Sequence, residues 1–296
     1  MNQTDQKFYL MLLFPTLLML LLFIAGPVGQ SFFLSFHRMI IGLPQLGTSF
    51  LGLENYRELL HDPVARHSLW ITIVFVGTTT FFELLIGLLL ALLMHRRFPG
   101  RGALRACVLI PWAIPTVVSA QMWRFLLNDA YGMVNYTIFG SEATRYIPWL
   151  ALPSTALLSL IVADIWKTAS FAALLILAGL QVIPEELHQA ARVDGAGAWR
   201  RFRHITWPMI RPALLVALLF RTIDAFRVFD LAFVMTQGGP ADATNVFQLY
   251  GYKKIFVEGW MGYGSAISVS IFIMVLCLAV LYVRMVGRRL LEAGPR

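Results

Sequence analysis

Six stretches of about twenty or more mostly apolar residues divide this chain, and each is long enough to cross a bilayer as a helix. They run roughly Leu10–Gly29, Leu69–Met94, Ala106–Leu127, Thr155–Ile183, Ala213–Met235 and Tyr263–Val286. A lipid-embedded segment must satisfy its own backbone, so helices are the form these stretches dictate. The expected fold class is an all-α membrane protein with six transmembrane helices in one domain, residues 1–296. Composition agrees: 58% of the residues are hydrophobic and 14% are charged, where a soluble domain carries about 25% charged residues. The first stretch is too long for a signal-peptide core, lacks a convincing small-residue cleavage site and reads as an uncleaved first span. Pro15 and Pro27 in the first stretch, and Pro111 and Pro115 in the third, predict kinks or broken ends rather than absent helices.

The net charge is +8. In a soluble protein that would suggest nucleic acid, but no nucleic-acid signature accompanies it. The basic residues instead collect in alternate loops, as they do on the cytoplasmic side of membrane proteins. With the N-terminus inside, one face holds Lys7, Arg96, Arg97, Arg101, Arg105, Arg192, Arg200, Arg201, Arg203, Arg211, Arg284, Arg288, Arg289 and Arg296. The other holds Arg38, Arg57, Arg66, Arg145, Lys253 and Lys254. Fourteen against six predicts a multi-pass protein with both termini cytoplasmic. Cys107 and Cys277 lie in apolar runs, where packing is the expected role rather than a disulfide or a metal site. Trp112, Trp123, Trp149, Trp207 and Trp260 fall near span ends, as interfacial anchors do.

Charges inside the apolar runs are costly and therefore candidates for function. The fourth stretch holds Asp164, Lys167, Thr168 and Phe171, and the fifth holds Arg221, Asp224, Phe226, Arg227 and Asp230. Helical rise puts Lys167 about 18 Å from one end of its span and Asp224 about 16 Å from the other, so both sit near the middle. Acids and bases that bond hydroxyls, interleaved with aromatic rings that stack on pyranose faces, suit a sugar. The alternative is that Asp164–Lys167 and the Arg221–Asp224–Arg227–Asp230 series are ion pairs at i,i+3 spacing that only hold the bundle.

The connector between the fourth and fifth stretches, residues 184–212, is more than a linker. Pro184 followed by Glu185 and Glu186 reads as a helix start. Leu187, Ala190 and Ala191 form an apolar stripe at helical spacing, and Gly195 ends or bends the helix. A second short helix carries Trp199, Phe202 and Ile205, with Arg200, Arg201 and Arg203 around it, and Pro208 closes the unit. Such an exposed amphipathic pair docks in a partner's groove, lies on anionic headgroups, or serves only as a folded connector. The chain has no Gly-Lys pair, hence no nucleotide-cradling P-loop. Any ATP-driven transport would use a partner's hydrolysis, with ATP and magnesium bound there and no cofactor in this chain. No catalytic His cluster or nucleophile elbow occurs, so no enzymatic site is expected. An ion-coupled secondary transporter is the competing class, since Asp164 and Asp224 could carry protons.

The spacing Gln189-Ala190-Ala191, Gly195, Ile205, Trp207-Pro208 resembles the loop of ABC importer permeases that runs Glu-Ala-Ala, three residues, Gly, nine residues, Ile, one residue, Leu-Pro. Gln189 replaces the family's Glu and Trp207 its Leu. Gly52-Leu53-Glu54-Asn55-Tyr56, Leu109 to Pro115, and Gln237-Gly238-Gly239-Pro240 extend the resemblance over nearly the whole chain, to the maltose and trehalose branch. That resemblance implies the type I importer permease fold in a bacterial inner membrane and half of a pathway for a sugar, a disaccharide such as trehalose or maltose. It also implies four kinds of partner: a second homologous permease, two ATP-binding-cassette ATPases, an extracytoplasmic sugar-binding protein and the sugar itself. By the same resemblance Asp164, Lys167, Thr168, Phe171, Asp224, Phe226 and Arg227 contact substrate. Glu186, Leu187, Gln189, Ala190, Ala191, Asp194, Gly195, Ala196, Trp199, Phe202, Ile205 and Pro208 couple to the ATPase.

Overall fold

The computed structural model describes the backbone of residues 3–42 and 47–292 and the side chains of 11–42 and 47–284. Lys7, Arg288, Arg289 and Arg296, counted above toward orientation, lie outside the residues whose side chains are described, as do Leu10 and Val286 at the ends of two expected spans. In chain order the helices are α1 (Gln3–Leu20), α2 (Gly26–Ser35), α3 (Glu54–His61), α4 (Pro63–His95), α5 (Arg101–Ala113), α6 (Thr116–Leu126) and α7 (Met133–Phe139). They continue as α8 (Pro153–Gln181), α9 (Glu185–Val193), α10 (Ala198–Arg201), α11 (Trp207–Phe226), α12 (Asp230–Met235), α13 (Phe247–Tyr252) and α14 (Met261–Glu292). Single π-helical turns join α1 to α2, join α10 to α11 and follow α13.

Among the described residues, four helical segments are long and apolar enough to cross a membrane: Met11–Ser35, Pro63–His95, Pro153–Gln181 and Met261–Arg284. The pair α5 and α6, bent by 92°, makes a fifth if counted as one span. The expected span Ala213–Met235 is corrected: α11 begins earlier, ends at Phe226, and the chain breaks before α12. At about 1.5 Å per residue α11 is still long enough to cross. Arg211, Arg221 and Asp224, not shortness, set it apart from the apolar spans. The first span likewise runs past Gly29 to Ser35.

The chain groups into two compact units, Met1–Arg66 with Tyr250–Ile273, and His67–Leu249 with Met274–Arg296. In the first, the Gly-Leu-Glu-Asn-Tyr segment fastens α3 to the end of α2. Gly52 turns the chain with φ +58°. The Asn55 amide then donates to Ser35 O at 2.8 Å and His37 O at 3.1 Å, and the Tyr56 hydroxyl donates to Ser35 Oγ at 2.6 Å. Strands β1 (His37–Arg38) and β2 (Ser49–Phe50) pair antiparallel beside it. Asp62 starts α4: its Oδ1 accepts from the amides of Val64 and Ala65, with Pro63 at the first position, as proline and a capping acid suit. Its other oxygen accepts from the hydroxyls of Tyr250 and Tyr263.

The second unit holds the core. Ala91 and Met94 of α4, Ala173, Ile176, Leu177 and Leu180 of α8, and Ile210 and Ala217 of α11 form one buried cluster. Small residues bring these helices close, the usual packing device where lipid removes the hydrophobic drive between helices. A Cβ built on Gly87 would stand 2.9 Å from Ala172 Cβ, and one on Gly179 would stand 2.3 Å from Ala213 Cβ.

Candidate intramembrane charge cluster and coupling hairpin

The break between α5 and α6 starts from proline. A residue before proline is pushed out of the helical region, and Ile114, before Pro115, is extended at φ −72°, ψ 131°. The carbonyls at the end of α5 therefore lose their helical donors. Lys167, reaching from the middle of α8, supplies one: Nζ donates to Ile114 O at 2.7 Å and Trp112 O at 3.3 Å. An ammonium there also complements the negative end of the α5 dipole. Phe171, one turn on, stacks on Trp112 with ring centroids 5.6 Å apart. Trp123 meets Trp166 edge to face at 5.8 Å, and Trp149 donates to Asn135 Oδ1 at 2.9 Å. Trp112, Trp123 and Trp149 are thus packing residues as well as candidates for interfacial anchoring.

One turn away, α4, α8 and α11 converge on Arg221, which is 2% exposed. Its Nε and Nη2 donate to the two oxygens of Glu83 at 2.6 and 2.9 Å, a bidentate pair with a carboxylate that is 0% exposed. Nη1 donates to Asp224 at 2.6 Å and Nη2 to Asp164 at 3.4 Å. The Thr168 hydroxyl lies 2.6 Å from both Glu83 Oε1 and Asp164 O. The geometry therefore brings Asp164, Thr168 and Asp224 into one cluster and sends Lys167 to the α5 carbonyls rather than to Asp164. Of the spacing-based pairs, Arg221–Asp224 forms. Among the described residues Arg227 and Asp230 are not ion-paired with each other, and both are exposed. Phe226 is half-buried, at the point where α11 ends. Asp224 presents 73% of its side chain to the outside, so this edge of the cluster is open to a ligand while Glu83 and Arg221 are closed.

Glu83 was absent from the sequence-based candidates. Its signal was plain in retrospect: a single acid between Phe82 and Leu84 in an otherwise apolar run. No local partner marks it, because Arg221 lies 138 residues away.

The hairpin follows its sequence signals up to one point. Pro184 precedes α9 and Glu185 and Glu186 fill its first turn. The C-terminal end closes with two bonds, Gly195 N to Arg192 O at 3.0 Å and Ala196 N to Ala191 O at 2.8 Å, about a Gly195 at φ +74°. That is the left-handed glycine termination of helices. Nothing lies within 4 Å of a Cβ built on Gly195, so backbone conformation alone demands glycine. None of the residues of α9 is buried, and Val193 and Trp199 are 88% and 70% exposed. Glu186, Leu187, Gln189, Ala190 and Asp194 are exposed, while Ala191, Ala196, Phe202 and Ile205 are half-buried. Trp199 stacks on Phe202 at 5.7 Å.

Pro208 does not close a separate second helix. From Ala198 the chain stays helical through α10, the π-helical turn Phe202–Thr206 and α11 to Phe226. The wide turn, in which Trp207 N bonds Phe202 O, absorbs the proline at the start of α11. Arg97 and Glu185 meet at 3.1 Å, which places the turn after α4 at the same end of this unit as the hairpin, as the loop charges predicted for these two segments.

The model of the family described as binding-protein-dependent transport system inner membrane component matches residues 83–291. The chain is 42% identical over 280 residues to the trehalose/maltose transport system permease protein MalF of Thermococcus litoralis, covering 95% of this chain and 93% of that one. It is 38% identical to the trehalose transport system permease protein SugA of Mycobacterium tuberculosis, covering 97% and 91%. It is 37% identical to the sulfoquinovosyl glycerol transport system permease protein SmoG of Agrobacterium fabrum, covering 95% and 91%. In fold it is similar to a chain of a bacterial ABC transporter involved in the import of the acidic polysaccharide alginate, with a TM-score of 0.83 at 23% identity over 97% of this chain and 96% of that chain.

Proposed function

The chain belongs to the family of binding-protein-dependent transport system inner membrane components, and from that membership we propose that it forms half of the pathway by which an ATP-driven importer admits a sugar or sugar-like solute. Its relatives point to a trehalose- or maltose-like disaccharide as the first substrate to try. A second homologous permease supplies the other half. Two ATPase subunits bind ATP and magnesium, and an extracytoplasmic binding protein delivers the sugar. The hairpin faces the cytoplasm, with both termini on that side.

The observation that carries this reading is α9, an amphipathic helix with no buried residue, on which Leu187 and Ala190 stand exposed. Bulky exposed side chains on an ordered hairpin suit a groove in a partner. The continuity of α10 with α11 gives the docked hairpin a mechanical route. Displacement of α10 tilts α11, and α11 carries Arg221, which grips α4 through Glu83 and α8 through Asp164. Nucleotide-driven movement of the ATPases thus reaches the middle of the membrane through one helix and one guanidinium.

The open edge of the cluster is the substrate-facing part: Asp224 and Arg227 for hydroxyls, Phe226 for the ring. Lys167, Thr168 and Phe171 sit behind it and hold its frame, with Asp164 between the two. The test is uptake of radiolabelled trehalose and maltose by the whole assembly in proteoliposomes loaded with ATP and supplied with the binding protein. Uptake that needs ATP and falls in Asp224→Ala and Arg227→Ala supports the assignment. Uptake that persists without the ATPase subunits and collapses only with an ionophore would favour an ion-coupled carrier instead.

A further inference from the structure

A cavity of about 1120 Å³ opens where α4 and α8 end, bounded by the turn into α5 and by the hairpin. Its lining has two zones. Half-buried Leu92, with the core residues Leu180 and Ile183 behind it, makes an apolar floor at the span ends. Around them stand Arg96, Arg97, Arg101, Arg105, Arg192 and Arg201. The one carboxylate in the lining, Glu185, is already bonded to Arg97. Arg105 uses Nη2 on Met94 O at 3.2 Å, yet its Nε is buried with no partner. Arg201 donates through Nη1 to Ala196 O at 2.9 Å. Arg96, Arg101 and Arg192 make no ion pair among the described residues. Six guanidinium groups round one cavity repel one another unless an anion joins them, and planar guanidinium forks match phosphate oxygens.

α9 separates this cavity from the partner-facing edge. Glu185, His188 and Arg192, at spacings of three and four, share the face toward the cavity. Leu187, Ala190 and Asp194 fall on the opposite side of the same helix by the 3.6-residue repeat, with Ala191 between the two faces. A ligand in the cavity and a groove around α9 would therefore use different faces.

We propose that this cavity seats the headgroup of an anionic phospholipid, its phosphate held by Arg101, Arg105 and Arg192 and its glycerol and upper acyl chains against Leu92 and the rim of Ile183. The apolar floor at span-end depth favours a lipid over a soluble phosphate, because a free anion gains nothing from it. Basic pockets between helices on the inner side of membranes take anionic headgroups in this way.

The test uses the purified whole assembly in three environments: lipid-free detergent, phosphatidylcholine nanodiscs, and nanodiscs containing phosphatidylglycerol. Arginine modification by phenylglyoxal is read at each site by mass spectrometry, and retained lipid is counted by native mass spectrometry. Arg101 and Arg192 are expected to be modified in detergent and in phosphatidylcholine and protected by phosphatidylglycerol. An Arg101→Gln/Arg192→Gln variant should hold phosphatidylglycerol roughly 25-fold less well, about a factor of five for each basic group lost. An Arg200→Gln/Arg203→Gln variant, with the same charge loss outside the cavity, should retain it. Equal retention of both lipids, or equal loss in the two variants, overturns the proposal. So does protection by inorganic phosphate without phosphatidylglycerol, which would make the occupant a soluble anion. Protection already complete in the lipid-free assembly would mean that a partner subunit fills the cavity, and that also defeats it.

Discussion

Removing Glu83 should damage this protein far more than removing Asp224, although both carboxylates bond the same guanidinium. Glu83 is wholly buried, accepts two bonds from Arg221 at 2.6 and 2.9 Å and a third from Thr168 at 2.6 Å. Deleting one member of a buried pair costs about 3–5 kcal/mol when the other charge is left uncompensated; Arg221 keeps Asp164 and Asp224, so Glu83→Ala should fall toward the lower end of that range. Asp224 makes an equally short bond, but its side chain is 73% exposed. Water reaching this open edge can replace much of that bond, so Asp224→Ala should cost less than about 1 kcal/mol. The double variant Glu83→Ala/Arg221→Ala should be less destabilised than the two singles added together, because no lone buried charge from this pair remains. The assay is unfolding of the purified chain in mixed micelles with rising SDS, followed by tryptophan fluorescence. Equal free-energy losses for Glu83→Ala and Asp224→Ala would refute the view that burial, not bond length, sets the strength of this cluster. Additivity in the double variant would refute the pairing itself.

Gly195→Asn should keep most coupled transport while Gly195→Val loses it, since asparagine tolerates a positive φ and a β-branched residue does not. ATP-dependent uptake against ATPase rate in the reconstituted assembly measures this, and full coupling in Gly195→Val would contradict it. Lys167→Met should strip the donor from Ile114 O and Trp112 O and lower stability by about 1.5–3 kcal/mol, the range for a bond to a charged group; an unchanged SDS midpoint would argue against it. Gly179→Val should separate α8 from α11, because even a methyl group would meet Ala213 Cβ at 2.3 Å; wild-type yield and stability would show that the helices can shift at no cost. At Asp62, burial alone would raise the carboxyl pKa, but bonds from Tyr250, Tyr263, Ala65 and Val64 outweigh it and hold the pKa below the usual value. The stability this group gives is therefore complete above the unfolded aspartate pKa of about 4 and is lost as pH falls through the lowered folded value. The gap in thermal midpoint between parent and Asp62→Asn should narrow steadily on acidification below about pH 4, and a gap that widens would reverse the sign.

What could be read from the sequence divides by the range of the forces involved. Helix ends are set by a few neighbouring residues, so Pro184 with Glu185 and Glu186, and Gly195 with its left-handed turn, were legible locally. Pro208 misled for the same reason. Proline usually stops a helix, and the wide turn at Phe202–Thr206 that admits it has no equally plain local signature. Charges in the membrane belong to the other class. Lys167 stands three residues after Asp164, and on an isolated helix that spacing suggests a pair. In the folded chain Asp164 has Arg221, 57 residues away, and Lys167 bonds the carbonyls of Trp112 and Ile114 beside the break at Pro115. An unsatisfied carbonyl in hydrocarbon costs several kcal/mol, and an ammonium can relieve two at once. Lys167 therefore goes where the backbone deficit is largest, not where the nearest acid stands. Asking which backbone groups each proline orphans, before assigning ion pairs by spacing, would have pointed to Lys167 and the α5 carbonyls. Arg221 then has Asp224 and Asp164, and what adds Glu83 is a contact 138 residues away that no local spacing marks.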